Sequence, residues 1–194
     1  QPMKVSVDVI SGSSAGGLNA VFLGKALSQG GSLDGLNEIW RREADFLRLL
    51  NDAESAPPDG VDLPVPTRPT GVLNGDRFFL LLFDALERMD AEAAAAHASG
   101  DVGTADKRLV PVVDCFLTAT DLRGVAERVQ LHRTTITELR HRGRFHFRDG
   151  VRSPSRRPYS DLGHDKNHLL AFAARATAAF PGAFHPAQWE QAMS

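Results

Sequence analysis

Apolar positions along the chain fall first into a strand pattern, then into helical ones, and return to strand patterns before a last helix. Val5 to Ile10 is dense in valine and isoleucine and runs into small residues, the profile of a buried strand covered on both faces and entering a turn. From Ala15 to Leu27 the positions Leu18, Val21, Phe22 and Ala26 recur at helical spacing, with Gly30-Gly31 as the stop. Ser32 is the cap predicted for a second helix containing Leu36, Ile39 and Trp40 and continuing to Leu50, with Trp40 as a core anchor. Five prolines between Asp52 and Thr70 exclude a regular element, so residues 52–70 are expected to form a long surface loop.

Asn74 or Asp76 then caps an amphipathic helix bearing Phe79, Leu82, Phe83, Leu86 and Met89, which ends near Gly100. Val112 to Thr120 reads as a second buried strand. Ala126 to Thr135, where Val129 and Leu131 alternate with Arg128, Gln130 and His132, reads as its partner across a turn at Leu122-Arg123-Gly124. Residues 153–166 are polar and contain proline, a second loop, and Leu169 to Phe180 is a helix stopped by Pro181-Gly182. This order of strands and helices predicts an α/β fold, a mostly parallel central sheet flanked by helices, in one domain spanning 1–194.

Composition changes this picture little. At 194 residues, 42% of them hydrophobic, the chain is long enough for one sizeable core. A net charge of −2 directs it neither to nucleic acid nor to an anionic membrane as a whole, so partners must be inferred locally. The single cysteine, Cys115, lies in an apolar run, which suits a small buried hydrophobe and a reducing compartment. No apolar stretch approaches the roughly 20 residues that span a bilayer. A cytoplasmic or membrane-peripheral location is the expectation.

The chemistry centres on Gly12-Ser13-Ser14-Ala15-Gly16. A serine at a sharp strand-to-helix turn needs small neighbours, because side chains on the flanking residues would collide. Such a turn lifts the hydroxyl out of the sheet and sets it at a helix N-terminus, where free N–H groups and the positive dipole end favour a developing oxyanion. Ser14 is therefore the candidate nucleophile, Gly12, Gly16 and Gly17 shape the elbow, and the Ala15 N–H is one expected oxyanion donor. The rival uses of such a turn are plain helix–sheet packing and phosphate binding. Against the latter, no lysine follows and the glycines do not fit the dinucleotide spacing.

Two blocks carry a family resemblance. Asp8-Val9-Ile10-Ser11-Gly12-Ser13-Ser14-Ala15-Gly16-Gly17-Leu18-Asn19-Ala20 resembles the nucleophile block of the patatin-like phospholipases, and Ala173 to Phe184, AARATAAFPGAF, resembles their second signature block. The strand Val112 to Asp121, Glu138-Leu139-Arg140-His141-Arg142 and Phe145-His146-Phe147 are similar, more loosely, to a bacterial patatin-related branch. The resemblance implies a three-layer α/β fold, lipid acyl-ester hydrolysis, no metal or organic cofactor, and a Ser-Asp dyad. Neither the family's glycine-rich oxyanion loop nor its Asp-Gly-Gly or Asp-Gly-Ala motif occurs at the corresponding place in these 194 residues. The expectation is thus a truncated domain, inert or nearly so by itself, whose base lies outside this chain.

Internal substitutes for that base can be named. Asp149-Gly150 and Asp59-Gly60 precede the second block and read as turns. Among His132, His141, His146, His164, His168 and His185, spacing selects none; His185, beside Pro186 just after the second block, is the one retained.

Arginines accumulate between Arg123 and Arg157, with Phe145, Phe147 and Tyr159 nearby. A solvated sheet edge comes first among the readings, contact with phospholipid head groups second and nucleic acid last. The partners expected are a lipid or other acyl-ester substrate and, through Arg123 to Arg157, a membrane surface, with no nucleic acid. The alternative function is a non-catalytic membrane- or protein-binding module that keeps the elbow as architecture.

Overall fold

A computed structural model describes residues 6–43, 49–51, 71–98, 110–151 and 158–189. Val5, the loop 52–70 with Asp59, and Gly100 lie outside the described residues. The α/β class stands: four strands form one sheet in the order β1 (Val9–Gly12), β2 (Val112–Gln130), β3 (Thr135–Gly150), β4 (Tyr159–Ser160). The sheet is mixed, with β1 parallel to β2 and the other two pairings antiparallel.

Helix α1 (Ala15–Gln29) packs against β2 and is buried along most of its length, through Leu18, Ala20, Val21, Phe22 and Ala26. Gly30 ends it with φ 71°, a left-handed cap that glycine adopts without a Cβ penalty, and donates to Ala26 O at 2.7 Å. The short α2 (Asp34–Glu38) follows, its entry braced by Ser32 Oγ accepting from the Asp34 N–H. It widens into a looser turn over Ile39–Glu43. Here Ile39 is the buried residue. Trp40 is 41% exposed and donates its indole N–H to Asn19, so it is not the core anchor its size suggests. Of the two candidate caps for α3 (Gly75–Ala98), Asn74 serves: its Oδ1 accepts from the Arg77 N–H at 2.9 Å. Helix α4 (Asn167–Thr177) contributes Leu170, Ala171, Ala173 and Ala174 to the core shared with α1, α3 and β2.

The sheet departs from expectation in two ways. Its register places Val113, Cys115, Leu117 and Phe147 toward the helices, whereas the alternate residues Val9, Ser11 and Thr118 are exposed, Val9 by 59%. Strand β1 is therefore covered on one face, not both. Second, Leu122-Arg123-Gly124 does not turn the chain. Gly124, at φ 71°, forms a bulge between Thr120 and Val125, and β2 continues to Gln130. The true turn is Leu131 to Thr134, closed by Leu131 N–H to Thr134 O at 2.8 Å, and the partner strand is Thr135–Gly150. Beyond Thr118 and Arg144 this hairpin is an arm with little burial on either face. Within the polar stretch 153–166, the described part holds β4 and a turn of 3-10 helix at His164–Lys166.

Candidate active site

Strand β1 ends at Gly12 and α1 begins at Ala15, so Ser13 and Ser14 alone make the turn. Ser14 adopts φ 53° and ψ −129°, and no other non-glycine residue among those described has positive φ. For an L-residue this costs roughly 1–3 kcal/mol and persists only where the surroundings impose it. Three contacts impose it here. The Ser14 carbonyl accepts from Gly17 N–H at 2.9 Å and from Leu18 N–H at 3.1 Å, starting the helix. The Ser14 N–H donates to Thr177 Oγ1 at 2.9 Å. A Cβ on Gly12 would overlap the carbonyl of Gly16, so the strand end and the first helical turn touch backbone to backbone.

The glycines divide in role. Gly17 lies against Thr177, whose Cγ2 would stand 2.6 Å from an added Cβ, whereas a Cβ on Gly16 would meet nothing within 4 Å. Steric demand falls on Gly12 and Gly17; at Gly16 the collision expected of a flanking residue does not occur. The N–H groups of Ala15 and Gly16 find no backbone acceptor among the described residues, as the geometry of a helix start dictates. With the positive end of the α1 dipole, they form a pair of donors beside Ser14 suited to an oxyanion.

The second block meets the first at this point. Thr177, the last residue of α4, accepts from Ser14 N–H and donates its own hydroxyl to Thr118 O at 2.7 Å. Arg175, fully enclosed, donates to Gly75 O at 3.0 Å and His185 O at 2.7 Å and lies over the Phe184 ring, so it fastens the segment after α4 to the start of α3. Burial pushes its guanidinium pKa down to about 10. Phe180, three residues past Thr177, is 71% exposed. Sequence reading did not single out Thr177, because its partner lies 163 residues away.

None of the candidate bases among the described residues hydrogen-bonds to Ser14. His185 faces Asp76, its Nε2 3.4 Å from Oδ1. His141 bonds the Asp121 carbonyl at the bulge, and His164 bonds Glu87. His146 bonds Asp114 Oδ1 at 2.7 Å and stacks on Phe116. Asp114 also accepts from Arg148 Nε. Burial raises its pKa, but the Arg148 and His146 hydrogen bonds outweigh this and hold the carboxyl below its usual range. An acidic residue inside the apolar run Val112 to Leu117 was the signal for this cluster. Asp149 is buried near Lys25, whose positive charge it favours.

Lys25 itself lies about 16 Å along α1 from Ser14. It is fully buried and donates to Asn167 Oδ1 and Leu162 O, with Asp90 Oδ1 at 2.9 Å. Desolvation lowers its pKa, against the pull of Asp90. Glu87, Asp90 and His164 bring three ligand-type atoms within 4.8 Å of one another, yet Lys25 and Asn167 already occupy the carboxylates. Cys115 is enclosed and its thiol pKa is pushed up to about 12 by burial, so it offers no thiolate near neutral pH.

Comparison with known proteins agrees with the two blocks. The patatin-like phospholipase profile matches residues 2–192. The uncharacterized membrane protein Rv3479 of Mycobacterium tuberculosis is 29% identical over 187 residues, which covers 95% of this chain and 15% of that protein. No solved structure matches. The chain belongs to the patatin-like phospholipase family.

Proposed function

We propose that this chain carries the nucleophile of a serine-dependent lipid acyl hydrolase, with Ser14 forming an acyl-enzyme. The observation that supports this most is the positive φ of Ser14 at the junction of strand and helix, a strained geometry of the kind that clusters at active sites. In the proposed reaction Ser14 Oγ attacks the acyl carbonyl while a base takes its proton. The oxyanion faces the N–H groups of Ala15 and Gly16; collapse expels the alcohol, and water then releases the acid. The described residues place no carboxylate or imidazole in hydrogen-bond contact with Ser14, so the reading assigns the base elsewhere, an aspartate by family resemblance. The exposed Phe180 offers apolar surface close to the elbow for an acyl chain.

Ester hydrolysis by the natural full-length protein tests this: Ser14→Ala should lower turnover about 10³-fold or more. Undiminished turnover would place the nucleophile elsewhere. The rival reading, a binding module that retains the elbow, is the outcome if no ester is turned over.

The proposal includes contact with a membrane surface. Alternation along β3 sets Arg140, Arg142, Arg144, His146 and Arg148 on one face over roughly 27 Å. Arg140 pairs with Glu127, and Arg148 and His146 with Asp114, but Arg142 and Arg144 have no ion pair among the described residues. Binding to vesicles containing phosphatidylglycerol should exceed binding to phosphatidylcholine alone, weaken with salt, and fall by about 1 kcal/mol for each arginine neutralised. Equal binding to both vesicles would exclude head-group charge as the attraction. Among the described residues no helix is long and apolar enough to cross a membrane.

A further inference from the structure

We infer that Thr177 is a positioning residue: its hydroxyl fixes the backbone of Ser14 and thereby aims both the nucleophilic oxygen and the neighbouring oxyanion donors. The inference rests on the reading of Ser14 as nucleophile. A residue just before a helix has no carbonyl four positions back to receive its N–H, so water is the ordinary partner there. Here the Ser14 N–H has a fixed one, Thr177 Oγ1 at 2.9 Å.

The direction of that acceptor is itself fixed. The Thr177 proton is committed to Thr118 O at 2.7 Å, which leaves a lone pair for Ser14. The Thr177 methyl lies against Gly17, where no side chain would fit, and β-branching stiffens the torsion that orients both. Thr118 follows Leu117, the residue paired with Gly12 at the end of β1. The relay of hydrogen bonds from Ser14 N–H to Thr177 Oγ1 and from Thr177 O–H to the Thr118 carbonyl thus ties the elbow to the end of the neighbouring strand. Because its own N–H is taken, Ser14 has none to offer the oxyanion, and the role falls to Ala15 and Gly16.

Both hydrogen bonds lie at the protein surface, where water can replace either partner. Loss of the hydroxyl should therefore alter reactivity far more than stability, which separates positioning from simple packing. The test is the rate at which an alkyl fluorophosphonate phosphonylates Ser14 in the natural full-length protein, its Thr177→Val variant and its Thr177→Ser variant. Valine keeps the shape and loses the hydroxyl; serine keeps the hydroxyl. The rate for valine should fall about tenfold or more, serine should stay within about threefold of the parent, and melting midpoints should agree within about 2 °C.

Valine reacting at the parental rate, or serine as slowly as valine, overturns the inference while leaving Ser14 as nucleophile. Failure of the parent itself to react overturns both. Amide exchange of Ser14 in the parent needs no variant to fold: a protected N–H is expected, and exchange at the rate of a free amide overturns the inference.

Discussion

Gly12 and Gly16 stand symmetrically about Ser14 in the sequence, but the space around them differs. A methyl on Gly12 would overlap the Gly16 carbonyl, while one on Gly16 points into open space. Gly12→Ala should therefore destabilise by about 3 kcal/mol, the upper range for overpacking. Gly16→Ala should be neutral or stabilising by up to about 1 kcal/mol, from helix propensity. Urea denaturation of the two variants checks the contrast, and equal effects would contradict it. The sequence marks Ser14 as the candidate nucleophile because spacing within five residues carries the signal. It does not announce Thr177, whose contribution arises from packing between segments 163 residues apart. His185 shows the reverse: adjacency to the second block does not set the direction of its ring, which faces Asp76.

At the scale of elements, helices were legible wherever a long amphipathic period met a capping residue, as at Asn74 and Gly30. The hairpin was not, because a positive-φ glycine serves a bulge as readily as a turn, and Gly124 took the former role. Trp40 misled through size: its indole N–H reaches Asn19 at the surface and Ile39 fills the core instead. The buried Lys25 on α1 was equally silent in the sequence, since its meaning depends on Asp90 and Asn167 from α3 and α4. Lys25→Ala would leave the largely buried Asp90 carboxylate without its cation and should cost about 3–5 kcal/mol. Chemical denaturation measures this, and a cost under 1 kcal/mol would show that Asp90 is solvated by other means.

For the whole molecule, the two faces of the sheet differ. Helices and apolar side chains occupy one face, and Asp114, His146 and Arg148 are assembled with exposed residues on the other. Asp114 has a lowered pKa in the fold, so in acid the unfolded chain binds more protons than the folded one. Its stabilisation is complete above the ordinary carboxylate value of about 4 and disappears as pH falls through the lower folded value. Melting midpoints should therefore drop with acidification, and Asp114→Asn should flatten that part of the profile. An unchanged slope in the variant would move the acid dependence to other carboxylates.

Covalent labelling reads the reactivity of Ser14 directly. After treatment of the natural full-length protein with an alkyl fluorophosphonate, mass spectrometry of the peptide containing Ser14 should show one phosphonyl group on that residue, and Ser14→Ala should take none. An unlabelled Ser14, or a variant labelled as fully as the parent, would contradict the account.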